Sequence, residues 1–237
     1  MRVLVTGASS DIGLEVCKRY LAEGYDVLAH YRTIRDELID LSEKNKSAFR
    51  LTACDFSEGV VFDNWLKQNR ELLTSCDVFV HCAATLQAKP YLDVTAEDLL
   101  YHFRVNVVSG AILMRELGVA MAERGWGRIV MLGSIGVKFG GGNKSFPYSL
   151  SKHALELIPS IWREWAPRNV LVNTLRIGVT DTRIHSHESQ KNIDQRTAMI
   201  PMKRAATPVE MAQSIYYYGS EWNTFTAGQV ISVAGGE

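Results

Sequence analysis

The chain has 237 residues, 46% of them apolar, and its 26 Lys and Arg residues are balanced by 26 Asp and Glu residues. This length and composition allow one large buried core, as in single-domain α/β proteins. A formal net charge of zero gives no sign of binding to nucleic acid or to an anionic membrane surface, since both favour clustered positive charge.

The cysteine pattern and the first residues indicate the expected compartment. The four cysteines are Cys17, Cys54, Cys76 and Cys82, and no two of them form a C-x-x-C pair. This spread is typical of reduced, buried core residues. The chain starts directly with a strand-like run, and no stretch reaches the roughly 18 apolar residues of a membrane span. We therefore expect a cytoplasmic protein.

Short apolar runs recur along the chain, and most are continuous rather than alternating. Continuous runs are typical of strands buried on both faces of a parallel sheet. The predicted strands are Arg2–Thr6, Asp26–Tyr31, Phe49–Asp55, Val78–Ala83, Arg128–Leu132, Leu171–Leu175 and Gln229–Val233.

Helix-length segments separate these runs. The first is amphipathic and ends at Gly24. A second, Thr95–Glu123, begins with a sequence that resembles a capping box. A third, Pro147–Trp165, is expected to kink at Pro159. The alternation of strands and helices predicts one Rossmann-type domain over residues 1–237, an α/β/α sandwich around a doubly wound parallel sheet of about seven strands.

The polar stretch Gly178–Pro208 has no clear periodicity, and its length suggests a functional lid. It contains His185-Ser186-His187, a pair of histidines without a complete metal-ligand spacing around it. We interpret these histidines as surface or substrate-lining residues and expect no metal site.

A glycine-containing turn joins the first strand to the first helix. It reads Thr6-Gly7-Ala8-Ser9-Ser10-Asp11-Ile12-Gly13. Glycine allows close backbone approach to a phosphate, and a helix N-terminus offers free N–H groups and the positive end of a dipole. The turn therefore predicts a site for the phosphates of a nucleotide cofactor.

A second group of residues favours acid–base chemistry. Tyr148 and Lys152 are four residues apart in a predicted helix and so share a face. Ser134 follows a predicted strand 14 residues before Tyr148. A free tyrosine has a pKa of about 10, and a nearby ammonium lowers it by stabilising the phenolate. Ser134 offers a hydroxyl to a substrate oxygen.

Together these motifs resemble the short-chain dehydrogenase/reductase family, whose turn reads Thr-Gly-x-x-x-Gly-x-Gly. Asp11 replaces the middle glycine; it is placed to cap the helix, and we expect its side chain to point outward. The resemblance implies that Tyr148 is the general acid/base, that Lys152 also holds the nicotinamide ribose, and that Asn106 supports a proton-relay water. The resemblance covers nearly the whole chain, and the last strand suggests a homotetramer or homodimer.

The end of the second strand indicates which cofactor is bound. An NAD enzyme places an acid near this point, but the stretch Ala29–Arg35 has no acid until Asp36, and it offers His30, Arg32 and Arg35 instead. Cationic side chains suit a 2′-phosphate, so NADP(H) is favoured over NAD(H). The residues expected to contact the cofactor are Gly7, Ser9, Ser10, Asp11, Ile12, Gly13, His30, Arg32, Asp55, Ala83, Ala84, Tyr148, Lys152, Gly178 and Thr182.

Two departures from the family pattern occur at the ends of the fourth and sixth predicted strands. His81-Cys82-Ala83-Ala84 occupies the place of Asn-Asn-Ala-Gly, and Ile177-Gly178 occupies the place of Pro-Gly. The resemblance assigns Asp55 to adenine, and Thr182 to the nicotinamide carboxamide or a phosphate. We interpret His81 as a satisfied core residue rather than a catalytic one.

The function expected is NADP-dependent hydride transfer between the cofactor and a small or carrier-bound carbonyl. The segment Ile200-Pro201-Met202-Lys203-Arg204 resembles that of 3-oxoacyl-carrier-protein reductases, and Arg168 is placed to meet an acidic carrier protein. Two alternatives remain open: an alcohol or sugar dehydrogenase working in the oxidative direction, and a non-catalytic NADP-binding regulator or scaffold.

Overall fold

The computed structural model describes residues 1–185 and 190–237. Seven parallel strands form its sheet. Their bounds are Arg2–Thr6 (β1), Asp26–Tyr31 (β2), Phe49–Ala53 (β3), Val78–His81 (β4), Gly127–Ser134 (β5), Val170–Ile177 (β6) and Gln229–Val233 (β7).

The strand order is β3-β2-β1-β4-β5-β6-β7, with every neighbouring pair parallel. The strands β2 and β3 therefore lie on one side of β1, and β4 to β7 lie on the other side, as in a doubly wound sheet. The predicted Rossmann-type fold is confirmed. The carboxyl ends of the strands meet at one edge, and the crevice outside that edge is where ligands bind in such sheets.

Helices cover both faces of the sheet. In the described part of the chain their bounds are Asp11–Ala22 (α1), Asp36–Lys44 (α2), Gly59–Thr74 (α3), Ala96–Phe103 (α4), Ser109–Arg124 (α5), Phe146–Ala154 (α6), Trp162–Trp165 (α7), Gln190–Met199 (α8) and Pro208–Tyr218 (α9).

Two hydrophobic cores result from the period-two alternation of strand side chains. Val3 and Val5 of β1 point to the core beneath α1 and α9, whereas Leu4 points to the core beneath α3 and α5. All three side chains are fully buried. This two-sided burial explains the continuous apolar runs in the sequence.

Two of the predicted helices differ from the structure. The helix expected over Thr95–Glu123 does begin with a capping box between Thr95 and Asp98, but a π-helical turn over Arg104–Val108 divides it. The helix expected over Pro147–Trp165 is wrong as one kinked element. It ends at Ala154 and α7 starts only at Trp162, because Pro159 lacks an N–H and disfavours helical backbone at the residue before it.

The helical stretch 96–124 is the one described segment that is long and apolar enough to cross a membrane. Just over half of its most apolar window is buried inside the fold, at 56%. It packs Leu113 and Leu117 into the core beneath β4 and β5, and core helices of globular proteins commonly meet the same criterion. All four cysteines are free and buried, as predicted, and burial raises the pKa of each thiol.

The segment predicted as a lid, Gly178–Pro208, has local order that its sequence does not reveal. Thr180 pairs with Ala206, a short 3-10 turn spans Arg183–His185, and α8 follows. Ser186 and His187 lie outside the described residues.

Candidate active site

A large cleft opens at the carboxyl ends of the strands, with a volume of about 2350 Å³. The β1–α1 turn lines one side, the β5–α6 region lines the base, and residues 177–184 and 194–207 line the other side. All of the predicted cofactor contacts except Gly13 line this cleft, as does Ser134. The residue roles remain predictions, but the fold brings the two motifs together.

The β1–α1 turn depends on glycine at two positions. Gly7 has a φ of +67°, and a Cβ there would lie 2.7 Å from the Cα of Ala83. A Cβ on Gly13 would lie 2.3 Å from the carbonyl oxygen of Gly7. Gly13 therefore supports the turn from behind rather than lining the cleft. Because Gly7 has no Cβ, the backbone of Ala83 can lie close to the turn.

The turn also presents polar groups. Ser10 caps α1, because its Oγ accepts a hydrogen bond from the Gly13 N–H at 3.0 Å. The Oγ of Ser9 is buried and has no hydrogen-bond partner among the described residues. An unsatisfied hydroxyl beside a glycine cradle and a helix N-terminus fits a phosphate group. The residues present therefore fit the diphosphate of a nucleotide cofactor.

Asp11 does not cap the helix, since Ser10 does. Its carboxylate accepts hydrogen bonds from the backbone N–H of Arg183 at 2.9 Å and from the Arg183 Nε at 3.1 Å and Nη2 at 2.5 Å. The Nη1 of Arg35 lies 3.5 Å away. Instead of simply pointing outward, Asp11 lies on the rim of the cleft and joins its two sides.

His30 is not placed to hold a 2′-phosphate, and that prediction is wrong. Its ring is 2% exposed and stacks on Phe56 at 4.0 Å. Its Nε2 donates to the Cys54 carbonyl at 3.0 Å, and its Nδ1 accepts from the Gly7 N–H at 3.3 Å. Burial lowers the pKa of His30 to about 4, so the ring is neutral at physiological pH. It holds the glycine turn against β3.

The two arginines after β2 are arranged differently. Arg32 is exposed on the cleft wall and donates to the Tyr101 hydroxyl at 3.0 Å. Arg35 is partly buried and donates to the Ser9 carbonyl at 2.7 Å and to Glu37 at 2.6 Å. Arg32 is therefore the more available cation for a cofactor phosphate, while Arg35 supports the turn.

The acid–base residues converge at the base of the cleft. Ser134 is the last residue of β5, and its Oγ accepts a hydrogen bond from the Gly136 N–H at 3.2 Å. Tyr148 and Lys152 lie one turn apart on α6. The ammonium of Lys152 is buried, donates to the Leu132 carbonyl at 2.6 Å and lies 5.8 Å from the centre of the Tyr148 ring.

The expected lowering of the Tyr148 pKa is wrong for this structure. Burial raises the pKa of Tyr148 to about 12, and a hydrogen bond with Ser134 offsets only part of that effect. Burial also lowers the pKa of Lys152 to about 8. Lys152 directs its ammonium to the Leu132 carbonyl rather than to the phenol. Tyr148 is therefore a protonated phenol at neutral pH.

Asn106 lies behind the cleft, within the π-helical turn, and is fully buried. Its amide oxygen accepts from the Thr85 N–H at 2.7 Å, and its amide nitrogen donates to the Ser151 Oγ at 2.8 Å. Ser151 in turn donates to the carbonyl of Tyr148 at 2.7 Å. Asn106 thus positions α6, and its side chain is fully engaged.

His81 connects this region to β1. Its Nε2 donates to the carbonyl of Asn106 at 3.2 Å, and its Nδ1 accepts from the Thr6 hydroxyl at 2.9 Å. Thr6 in turn accepts from the Ala83 N–H at 3.3 Å. Burial lowers the pKa of His81 to about 3. The interpretation of His81 as a satisfied core residue agrees with this network.

The remaining predicted contacts line the cleft and make a few hydrogen bonds or packing contacts within the protein. Asp55 accepts hydrogen bonds from the N–H and hydroxyl of Ser57 through one carboxylate oxygen. Gly178 packs against Ala234, where a Cβ would come within 2.6 Å of the Ala234 Cα. Thr182 donates to the Thr180 carbonyl at 3.2 Å. Ile177 ends β6 in register with Val233.

Sequence reasoning missed several residues of this cleft. Arg183 binds Asp11, which lies 172 residues earlier. Arg196 of α8 forms an ion pair with Glu237 and lies 5.6 Å from the Phe139 ring centre. No sequence spacing pairs these residues. A capping box at Thr207 and Glu210 marks the start of α9, and it could have been found from the sequence.

The fold and the site define a class: a Rossmann-type oxidoreductase with a Ser, Tyr and Lys set beside a nucleotide turn. The chain belongs to the short-chain dehydrogenase/reductase family, and the family model that matches residues 7–237 is described as Enoyl-(Acyl carrier protein) reductase. It is an oxidoreductase of that family.

Similar proteins cover almost the whole chain. The uncharacterized oxidoreductase YmfI of Bacillus subtilis (strain 168) is 28% identical over 98% of this chain and 97% of its own length. L-2,3-butanediol dehydrogenase of Corynebacterium glutamicum is also 28% identical, over 98% of this chain and 96% of its own. The structure of a 3-oxoacyl (acyl-carrier-protein) reductase from Agrobacterium tumefaciens C58 with NADP bound is 26% identical, with a TM-score of 0.87 over 100% of this chain and 93% of that one.

Proposed function

We propose that the protein is an NADP(H)-dependent reductase that converts a carbonyl to a secondary alcohol, with Tyr148 as proton donor. The observation that carries this proposal is the meeting of Ser134, Tyr148 and Lys152 in the cleft that the glycine turn also lines. The cofactor, when bound, supplies the hydride. The protein supplies orientation and the proton.

The protonation state of Tyr148 fits the role of proton donor. A hydride added to a carbonyl carbon leaves an alkoxide unless the oxygen receives a proton. Tyr148 holds a proton at neutral pH, and burial raises its pKa further, to about 12. Ser134 is placed to donate a hydrogen bond to the same oxygen as charge develops on it. Lys152, charged below about pH 8, lies 5.8 Å from the centre of the Tyr148 ring, and its positive charge stabilises the phenolate that remains from that distance.

We also propose that Asn106 supports return of the proton. Its side chain is engaged with Thr85 and Ser151, so its part falls to the backbone carbonyl, which accepts from His81. A carbonyl oxygen has a second lone pair for a relay water.

The preference for NADP(H) over NAD(H) rests on Arg32. No carboxylate stands at the end of β2 to bind a free ribose, and Arg32 lines the cleft there. The similar 3-oxoacyl reductase was solved with NADP bound. The residues that would hold the cofactor are those of the cleft: Gly7, Ser9, Ser10, Asp11, Ile12, Arg32, Asp55, Ala83, Ala84, Tyr148, Lys152, Gly178 and Thr182.

A 3-oxoacyl substrate is the first candidate, in keeping with that similarity and with the Ile200–Arg204 segment. A second candidate, a small hydroxylated ketone or alcohol, is favoured by one observation: the ion pair of Arg196 and Glu237 lines the cleft. A carboxylate and a guanidinium suit hydroxyl groups better than an acyl chain. The similarity to a butanediol dehydrogenase points the same way.

The proposal also covers the domain organisation, the oligomeric state and the location of the protein. The chain acts as one domain of residues 1–237, with 178–208 as its lid, in a homotetramer or homodimer. It works in the cytoplasm, without a nucleic-acid, membrane or metal partner.

The test is the initial rate of NADPH oxidation with a 3-oxoacyl thioester and with a vicinal diketone, each repeated with NADH. The reductase proposal expects turnover of at least one substrate, faster with NADPH. Faster turnover with NADH would contradict the role of Arg32. Tight NADPH binding without turnover of either compound, or of matching alcohols with NADP⁺, would favour the non-catalytic regulator.

A further inference from the structure

An ion pair spans the mouth of the cofactor cleft. Asp11 is the first residue of α1, where the family turn has glycine, and Arg183 lies just beyond Thr182 on the opposite side. Three hydrogen bonds join them, from the Arg183 backbone N–H, Nε and Nη2, at 2.5 to 3.1 Å. A bidentate pair supported by a backbone bond fixes the guanidinium plane more firmly than a single surface contact.

A carboxylate alone at this place would repel a diphosphate. Here Asp11 is flanked by two cations, because Arg35 also approaches it while bound to the Ser9 carbonyl. Arg35 also pairs with Glu37 at 2.6 Å, so the four side chains together carry no net charge and the charge of Asp11 is neutralised in place. Asp11 accepts from the Nε and Nη2 of Arg183, and within the part of the chain that the structure describes the Nη1 of Arg183 makes no hydrogen bond.

The same rim carries a second polar group, the hydroxyl of Ser9. The buried Oγ of Ser9 has no hydrogen bond from any described residue, and Ser9 lies two positions before Asp11. Arg183, Ser9 and the N-terminus of α1 all line the one cleft. Their shared chemistry is that of anion recognition.

We propose that Arg183 is a ligand of the cofactor diphosphate and that Asp11 is the positioning residue that holds it across the cleft. This inference rests on the proposed function, because the diphosphate is that of NADP(H). Asp11 thereby links the cofactor turn to the start of the lid, and Ser9 and Arg183 are the residues that would hold the diphosphate.

The test compares NADPH dissociation constants by isothermal titration calorimetry for the unmodified protein, Asp11→Gly, Asp11→Asn, Arg183→Gln and Asp11→Gly/Arg183→Gln. Arg183→Gln is expected to weaken binding about tenfold, since it removes one charge-assisted hydrogen bond. Both Asp11 variants are expected to weaken it about fivefold, and the double variant should be no weaker than Arg183→Gln alone.

The sign of the Asp11 effect is decisive. If Asp11 acted only as a negative charge near the phosphates, its removal would tighten NADPH binding, and this result would overturn the inference. Unchanged binding in Arg183→Gln would overturn it as well. The matched control is Glu15→Gln, one turn further along α1, whose carboxylate pairs with Lys18 at 2.7 Å; it should bind NADPH as the unmodified protein does.

Adenosine 2′-monophosphate, which has no diphosphate, separates this site from that of Arg32. Arg183→Gln should leave its binding unchanged, whereas Arg32→Ala should weaken it. Weakening by Arg183→Gln as well would place Arg183 at the 2′-phosphate and contradict the inference. Absence of NADPH binding by the unmodified protein would instead contradict the proposed function itself.

Discussion

Replacement of Arg128 by Met tests how the sheet is held at the end opposite the cleft. Arg128 begins β5 beside Gly127, and its side chain is 2% exposed. Its Nε donates to the carbonyls of Ser220 at 3.2 Å and Asn223 at 3.0 Å. Its Nη1 donates to the carbonyls of Gly127 and Asn169, each at 2.8 Å. One guanidinium therefore joins β5 to the turns before β6 and after α9.

The magnitude follows from these bonds. Hydrogen bonds to a charged group contribute about 1.5–3 kcal/mol each, and two donating nitrogens are engaged here. Burial of the cation opposes this gain, because desolvation of an ion costs several kcal/mol. Arg128→Met removes both effects but leaves buried carbonyls short of a donor. We expect the free energy of unfolding to fall by about 3 kcal/mol.

Urea denaturation followed by tryptophan fluorescence measures this change, since Trp126 lies against the guanidinium at 4.6 Å. Arg70→Met, at an exposed position on α3, is the control and should change stability by less than about 0.5 kcal/mol. A loss below about 1 kcal/mol in Arg128→Met would refute the reasoning, because it would mean that the four carbonyls find other donors.

Three further predictions concern the site. Arg32→Ala should weaken NADPH binding about tenfold and leave NADH binding unchanged, as measured by parallel fluorescence titrations; equal effects on both would contradict it. His30→Ala removes the ring that holds Gly7 and stacks on Phe56, so the melting temperature should fall by about 5 °C and NADPH should bind more weakly, whereas an unchanged melting curve would exclude this role. Burial lowers the pKa of Lys152 to about 8, so its charge is present below that pH and lost above it. The reduction rate should therefore be flat below pH 8 and fall about tenfold per pH unit above it. A reduction rate that stays unchanged up to pH 10 would contradict this prediction.

Much of the fold and the position of the site follow from local sequence. Continuous apolar strands alternating with helices specify a parallel sheet, and the carboxyl ends of its strands meet at one edge. Ser134 ends β5, the glycine turn follows β1, and Tyr148 with Lys152 lies on the helix after β5. Their meeting in one cleft is therefore a consequence of topology, which pattern and spacing could predict.

Other features depend on contacts that no local pattern reveals. His30 reads as a basic residue near a phosphate site, but Phe56 and the Cys54 carbonyl bury it. The π-helical turn at Asn106 leaves no mark in the apolar periodicity. Burial raises the pKa of Tyr148, and the Leu132 carbonyl accepts a hydrogen bond from the Lys152 ammonium. Each outcome was decided by tertiary packing between distant segments.

The role of Tyr148 as proton donor is tested most directly by the rate of NADPH oxidation in Tyr148→Phe, with the carbonyl substrate that the unmodified protein turns over. The control is Tyr217→Phe, on the exposed side of α9 and outside the cleft. We predict that Tyr148→Phe loses about 10²–10⁴-fold in kcat, whereas Tyr217→Phe keeps full activity. A Tyr148→Phe variant that retains its kcat would contradict the account.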